Sequence, residues 1–213
     1  MSRNSHRIRI HEAIRARLLR GEIGPDARLI DHAIAAEMGV SRMPVREALM
    51  QLASEGYLCS TSRGFALPDL SPDRIAEVFV LRRLLEPHAV ACAARDRTEV
   101  QMQALRAALE SARAAPDVAG FHRGAEAFRN AWLDAVANTE LRHAIQRYSG
   151  QVQSVRFATL TDPLARAATL SGLQALFKAF RAGDGLAAQD RMLRFIYDAE
   201  ESYRRGLATG LIA

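Results

Sequence analysis

Across residues 39–58, GVSRMPVREALMQLASEGYL, the apolar positions Val45, Ala48, Leu49 and Leu52 recur at helical spacing, while Arg42, Arg46 and Glu47 fall on other faces. The pattern predicts a helix with one side that packs and another that reaches outward. Ahead of it, Ile34, Ala35 and Met38 form the apolar face of a short helix closed by Gly39, where a left-handed residue lets the chain turn tightly. Asp31 is the expected N-cap of the short helix. Ser41 is the expected N-cap of the next, with Pro44 in its first turn, where a missing N–H is tolerated. Two helices meeting at a sharp corner, with arginines on the leading turns of the second, make a helix-turn-helix and its recognition element. Upstream, Ile8, Ile10, Ile14 and Leu18 approximate one helical face, with Arg7, Arg15, Arg17 and Arg20 around it, and residues 21–28, GEIGPDAR, form the connecting loop. Downstream, residues 57–59 read as a strand, 61–64 as a turn carrying Arg63, and 65–67 as the returning strand. Such a hairpin is the wing of a winged helix.

Pro68, Ser71 and Pro72 then punctuate the chain, and Ser71 with Pro72 opens a new helix. A boundary is therefore expected here, with a winged-helix domain over residues 1–69 and a second domain over 70–213. Beyond it only helical periodicity remains, broken at residues 95–98 and 115–118, at Asn138, at Asp162 with Pro163, and at 183–185. The second domain should be an all-α bundle of about six or seven helices, making the chain mainly α with a small β wing. In its first helix Ile75, Val78, Arg82, Leu85, Ala89 and Cys92 form one stripe, and Arg82 is the only charged member. A buried arginine is either paired in a structural salt bridge or lines a ligand cavity. Both readings stand.

Composition narrows the class. A hydrophobic fraction of 49% and a charged fraction of 25% fit a globular protein, and no apolar run is long enough to span a bilayer, so a cytoplasmic location without membrane contact is expected. The net charge of +5 is compatible with nucleic acid; it is spread along the chain and almost entirely arginine, Lys178 being the one lysine. Cys59 and Cys92 lack metal-ligand spacing and read as buried, reduced thiols.

The string LIDHAIAAEMGVSRMPVREALMQLASEGYLCSTSRGFAL, within residues 7–69, closely resembles the DNA-binding domain of the GntR family of bacterial transcription regulators. VLRRLLEPHAVACAA, GAEAFRNAWLDAVANTEL and FKAFRAGDGLAAQDRM resemble the FCD ligand-binding domain of the FadR subfamily and together cover nearly all of residues 71–209. The resemblance implies a homodimer on a palindromic DNA operator. It puts His32, Ser41, Arg42, Pro44, Arg46, Arg63 and Gly64 at the DNA. Many FCD domains also hold a divalent metal on one aspartate and three histidines. At those places this chain has Ala125, Arg129, Leu173 and Phe195, none of which can ligate a metal: hydrocarbon has no lone pair and guanidinium is a cation. The histidines His6, His11, His32, His88, His122 and His143 lie on separate segments and restore no ligand set. No cofactor or metal is expected.

Where metal-bearing relatives hold a small carboxylate through the ion, a guanidinium at residue 129 suits the same anion directly. Arg129, with Arg82 or Arg156 in support and Leu173 and Phe195 as apolar walls, is the expected site for a carboxylate metabolite. The competing role for Arg129 is an internal salt bridge with Glu126. Three functions follow in descending order: a metabolite-responsive DNA-binding regulator, a constitutive repressor that has lost its ligand, and an enzyme or acyl-chain carrier. Nothing supports the last, since the chain has no nucleophile elbow, phosphate loop or metal motif.

Overall fold

The structure, a computed structural model, describes residues 3–19, 22–24 and 27–211. Arg20, and Gly21, Pro25 and Asp26 of the expected loop, lie outside the described residues. Ten helices and one two-stranded sheet occur among those described: α1 (Arg3–Leu19), α2 (Asp31–Met38), α3 (Arg42–Ser54), β1 (Cys59–Thr61), β2 (Gly64–Ala66), α4 (Pro72–Asp96), α5 (Glu99–Arg113), α6 (Val118–Asp134), α7 (Thr139–Gln146), α8 (Ser149–Thr159), α9 (Pro163–Ala182) and α10 (Gly185–Ala208). The chain is mainly α, a winged helix followed by an all-α bundle. It divides into two units, Met1–Ile75 with Gln146–Ser154, and Ala76–Ile145 with Val155–Ala213.

In the first unit the α3 stripe expected from the sequence forms the core, whereas Ile8 of the face expected on α1 is exposed. Val45, Ala48, Leu49 and Leu52 of α3 are fully buried against Ile10 and Ile14 of α1 and Ile34 and Ala35 of α2. Gly39 closes α2 in the left-handed region, φ 64° and ψ 35°, and its N–H donates back to the Ala36 carbonyl. That geometry, nearly free of strain only for glycine, sets the corner between α2 and α3.

Four local expectations are corrected or qualified. The N-cap of α2 is Ile30, and Asp31 is its first helical residue, where a carboxylate still suits the positive end of the helix dipole. Ser41 does hold the N-cap position of α3, in extended backbone, but its hydroxyl makes no capping bond. The wing lies two residues further along than expected at its start, because Tyr57 and Leu58 are taken into the core instead of the sheet. The strands pair antiparallel with Cys59 opposite Ala66 and Thr61 opposite Gly64, and Leu29 bridges to Phe65 on the far side. Cys59, expected to be buried, is exposed, because the shifted strand carries it outward; Cys92 is partly buried.

Residues 146–154 complete this unit at the turn after α3. The Gly150 N–H donates to the Glu55 carbonyl at 2.9 Å, and a Cβ on Gly150 would stand 2.2 Å from the Gly56 carbonyl oxygen. Gly56 itself has φ 76°. Two glycines therefore permit a backbone contact that any side chain would block. Glu55 also accepts from His11 and Gln51, each at 2.8 Å. Burial alone would push its carboxyl up, and those bonds outweigh it and hold the group below the ordinary range.

The second unit has the amphipathic helices expected of a bundle. Helix α5 starts with a capping box between Thr98 and Gln101, while α6, α9 and α10 are capped by Asp117, Asp162 and Asp184. Phe128, Trp132, Leu105, Leu176, Phe180, Met192 and Ile196 fill the interior. Alpha-helical packing is densest between α5 and α6 and between α9 and α10. Where α9 meets α10, a Cβ on Gly172 would overlap the Phe195 ring at 2.2 Å.

Candidate nucleic-acid interface and a buried arginine cluster

Helix α3 turns Pro44, Val45, Ala48, Leu49 and Leu52 inward, so Arg42, Met43, Arg46 and Met50 are left facing solvent. This is the direct result of the helical period applied to one apolar stripe. Arg42, Arg46 and Met50 then line a concavity of about 450 Å³ with His32 at the start of α2 and Ser60, Thr61 and Gly64 from the wing. Four of the seven residues expected at DNA, His32, Arg42, Arg46 and Gly64, thus share one surface. Ser41 and Pro44 border a neighbouring hollow of about 380 Å³ with His6, Gly39, Val40 and Met43. Arg63 is exposed at the tip of the wing, where its N–H donates to the Thr61 hydroxyl at 3.2 Å.

Asp31 is the residue that sequence reasoning missed here. Its carboxylate receives the Arg42 guanidinium at 3.2 and 3.4 Å and stands 3.9 Å from the His32 ring. The signal was present in part: an acid at the start of α2, assigned only a capping role.

The second unit holds a different arrangement of arginine. Glu86 is fully buried on α4 and accepts from Arg82 Nε at 3.0 Å and from Arg129 Nη1 of α6 at 3.0 Å. Arg82 lies beneath the Phe79 ring at 5.3 Å and Arg129 beside Trp132 at 5.4 Å, so aromatic faces shield the cations where carboxylate does not. Burial would by itself raise the Glu86 carboxyl, but Arg129 and Arg82 outweigh it and hold the group below its ordinary range. Arg156 of α8 joins the same electrostatic group. Burial, then repulsion from Arg129 and Arg82, pulls its guanidinium down to about 9, while Glu126 and Glu86 act in the opposite sense. It stays charged at neutral pH. Arg82 and Arg129 are buried and Arg156 partly buried, and Arg129, Arg82, Glu126 and Glu86 all act electrostatically on Arg156.

The partner expected for Arg129 was Glu126; the carboxylate hydrogen-bonded to it across the helices is Glu86. Arg82, Arg129 and Arg156 do come together, on α4, α6 and α8. Leu173 and Phe195, expected beside them, are buried on α9 and α10. His122, also buried on α6, meets the Phe157 ring edge-on at 5.4 Å.

The chemistry of the residues does not fit a metal at the place the resemblance would put one. Ala125, Arg129, Leu173 and Phe195 are all buried, and they offer a methyl group, a cation, an alkyl chain and a phenyl ring. Among the described residues no three or more His, Cys, Asp or Glu side chains gather where they could hold an ion. No described helix is long and apolar enough to cross a membrane.

Comparison with known proteins matches residues 7–64 to the bacterial regulatory proteins of the gntR family and residues 77–198 to the FCD domain. The gluconate operon transcriptional repressor of Bacillus subtilis (strain 168) is 40% identical over 86 residues, covering 40% of this chain and 35% of that protein. The chain therefore spans about a third of that relative. An uncharacterized HTH-type transcriptional regulator from an unstable DNA locus of Streptomyces ambofaciens is 27% identical over 200 residues, 92% of this chain and 85% of the other. Among solved structures, E. coli McbR/YncC superposes with a TM-score of 0.77 at 22% identity, covering 97% of this chain and all of that one.

Proposed function

Because the chain belongs to the FCD-domain regulators of the bacterial gntR family, we propose that it is a cytoplasmic transcription regulator that binds a palindromic operator as a homodimer and answers to a small carboxylate metabolite. The observation that carries the DNA-binding part is the shared concavity of Arg42, Arg46, His32 and Gly64, in which the exposed end of α3 and the wing face the same space. A helix N-terminus bearing two arginines enters the major groove, and the wing approaches the backbone beside it. One such module reads few base pairs; a dyad doubles the contacts, which supports the dimer. The work divides at about residue 70, with the all-α part binding effector and joining the protomers. Repression is the proposed output, as in the name of the Bacillus subtilis relative.

For the effector, the supporting observation is the meeting of Arg82 and Arg129 at Glu86, with Arg156 within their electrostatic reach. An organic acid entering beside Arg129, Arg82 and Arg156 would meet guanidinium groups from three helices, and a charge-assisted bidentate pair would hold it. An anion that binds only one arrangement of this cluster would shift the population of arrangements, which is the thermodynamic content of a response to ligand. A constitutive repressor is the second reading, supported by the buried Arg129 to Glu86 bond, which already gives the arginine a structural role.

Two measurements test this. Arg46→Ala should lower affinity for a selected operator by roughly 1 to 3 kcal/mol if the arginine makes a bidentate base contact, with discrimination lost at one symmetric position. Unchanged affinity would remove α3 from the interface. A thermal-shift screen of organic acids should give stabilisation that disappears in Arg129→Ala and is not restored by Arg129→Lys, since an ammonium lacks the planar fork. Stabilisation that persists in Arg129→Ala would leave Arg129 structural and move the ligand elsewhere.

A further inference from the structure

The apolar needs of α3 are met by its inward face, yet two large apolar side chains remain on the outward one. Met43 is 52% exposed and Met50 57% exposed, on either side of Arg46. Met50 lines the same concavity as Arg42, Arg46 and His32, and Met43 lines the hollow beside it with Ser41 and Pro44. At 3.6 residues per turn, positions seven apart fall about 20° from one another around the helix and ~10 Å apart along it, with Arg46 between them and about 60° to one side. That separation is roughly three base-pair steps of 3.4 Å.

Resting on the DNA-binding reading above, we infer that Met43 and Met50 read sequence: their thioether chains seat against the 5-methyl groups of thymines flanking the base pair that Arg46 contacts. The chemistry is selective. Among the groups that base edges present in the major groove, the thymine methyl is the apolar one, and the others are hydrogen-bond donors or acceptors that a thioether serves poorly. A flexible, polarizable side chain adapts to a methyl without demanding fixed geometry. The two methionines share their face with Arg42 and Arg46, and although Asp31 pairs with Arg42, the exposed Arg46 between them favours DNA over an apolar protein partner.

The test uses the full chain. A random duplex pool is selected for binding, and each thymine of the enriched half-site is replaced in turn by deoxyuridine, which removes only the methyl. We expect binding to weaken about three- to fourfold per methyl lost at one or more thymines. Met43→Ala or Met50→Ala should bind the thymine and deoxyuridine duplexes equally at the position that methionine serves, while the wild-type protein still separates them. Both substitutions are at exposed positions, so the fold is retained. An enriched sequence insensitive to every deoxyuridine replacement overturns this inference alone, as does sensitivity that survives in the double Met43→Ala, Met50→Ala variant. A pool that yields no enriched sequence overturns the DNA-binding reading with it.

Discussion

Arg42 and Arg129 carry the same group to a carboxylate at nearly the same distance, 3.2 Å to Asp31 and 3.0 Å to Glu86. Their surroundings are opposite: 66% of the Arg42 side chain is exposed against 4% for Arg129. Water decides what each pair is worth. At the surface, solvent screens the pair and offers both partners an alternative, so the bond is worth little and is easily exchanged for a phosphate or a base. In the bundle interior each charge has been stripped of water, and it is tolerable only while its partner is present. One region can release its arginine to a large anion; the other can admit an anion only into a balance already struck around Glu86.

The largest expected effect breaks that balance. Glu86→Ala should destabilise the second unit by about 3 to 5 kcal/mol, because it leaves Arg82 and Arg129 buried without the carboxylate that both share. Urea denaturation would read this directly. A cost below about 1 kcal/mol would mean that the buried pair behaves like a surface one.

Acid should do part of the same work reversibly. The folded pKa of Glu86 lies below its ordinary value of 4.5, so its contribution is fully present above that pH and is lost as the pH falls through the lower, folded value. Melting temperature followed downward from pH 5 should therefore fall for the wild type. Glu86→Gln should be less stable at neutral pH and show a shallower acid dependence. Parallel acid profiles in the two proteins would show that Glu86 is not the titrating group.

The smallest effect lies at the surface. Asp31→Asn should change stability by less than about 1 kcal/mol. Operator affinity should rise, because Arg42 is released and a negative charge is removed from the face proposed to meet phosphates. A fall in affinity would instead make Asp31 a positioning group that aims Arg42 at the DNA.

The parts of this structure that follow a single helical period were legible in the chain. The stripe of α3 predicts both what is buried and, by exclusion, that Arg42 and Arg46 point outward. Gly39 announces the corner because few residues adopt its φ. The register of the wing was not legible: Tyr57 and Leu58 have strand-like side chains, and only the demand of the core for two more apolar groups decides that they pack beneath the sheet. The bond from Arg129 to Glu86 on another helix shows the same limit. Spacing identifies neighbours on one helix, and Arg82 with Glu86 four residues on is such a pair, although it was not singled out in the sequence. Which acid meets an arginine across helices depends on how those helices pack, which spacing does not contain. Met43 and Met50 were not singled out in the sequence: their exposure emerges from the structure, and composition alone gives no reason to look at a methionine.

The meeting of Gly150 with Glu55 and Gly56 bears on the order in which the molecule can be completed. The turn after the recognition helix emerges early in synthesis, but the backbone that closes over it belongs to a segment made much later, after α4 to α7. Until residue 154 has been made, the first unit lacks one of its walls, and closing so long a loop carries an entropic cost that a contiguous winged helix would not bear. A fragment cut at residue 75 would therefore leave the Glu55 carbonyl without the Gly150 N–H and open the floor of that turn to water. The unit that carries α3 and the wing is finished by a segment from the middle of the chain.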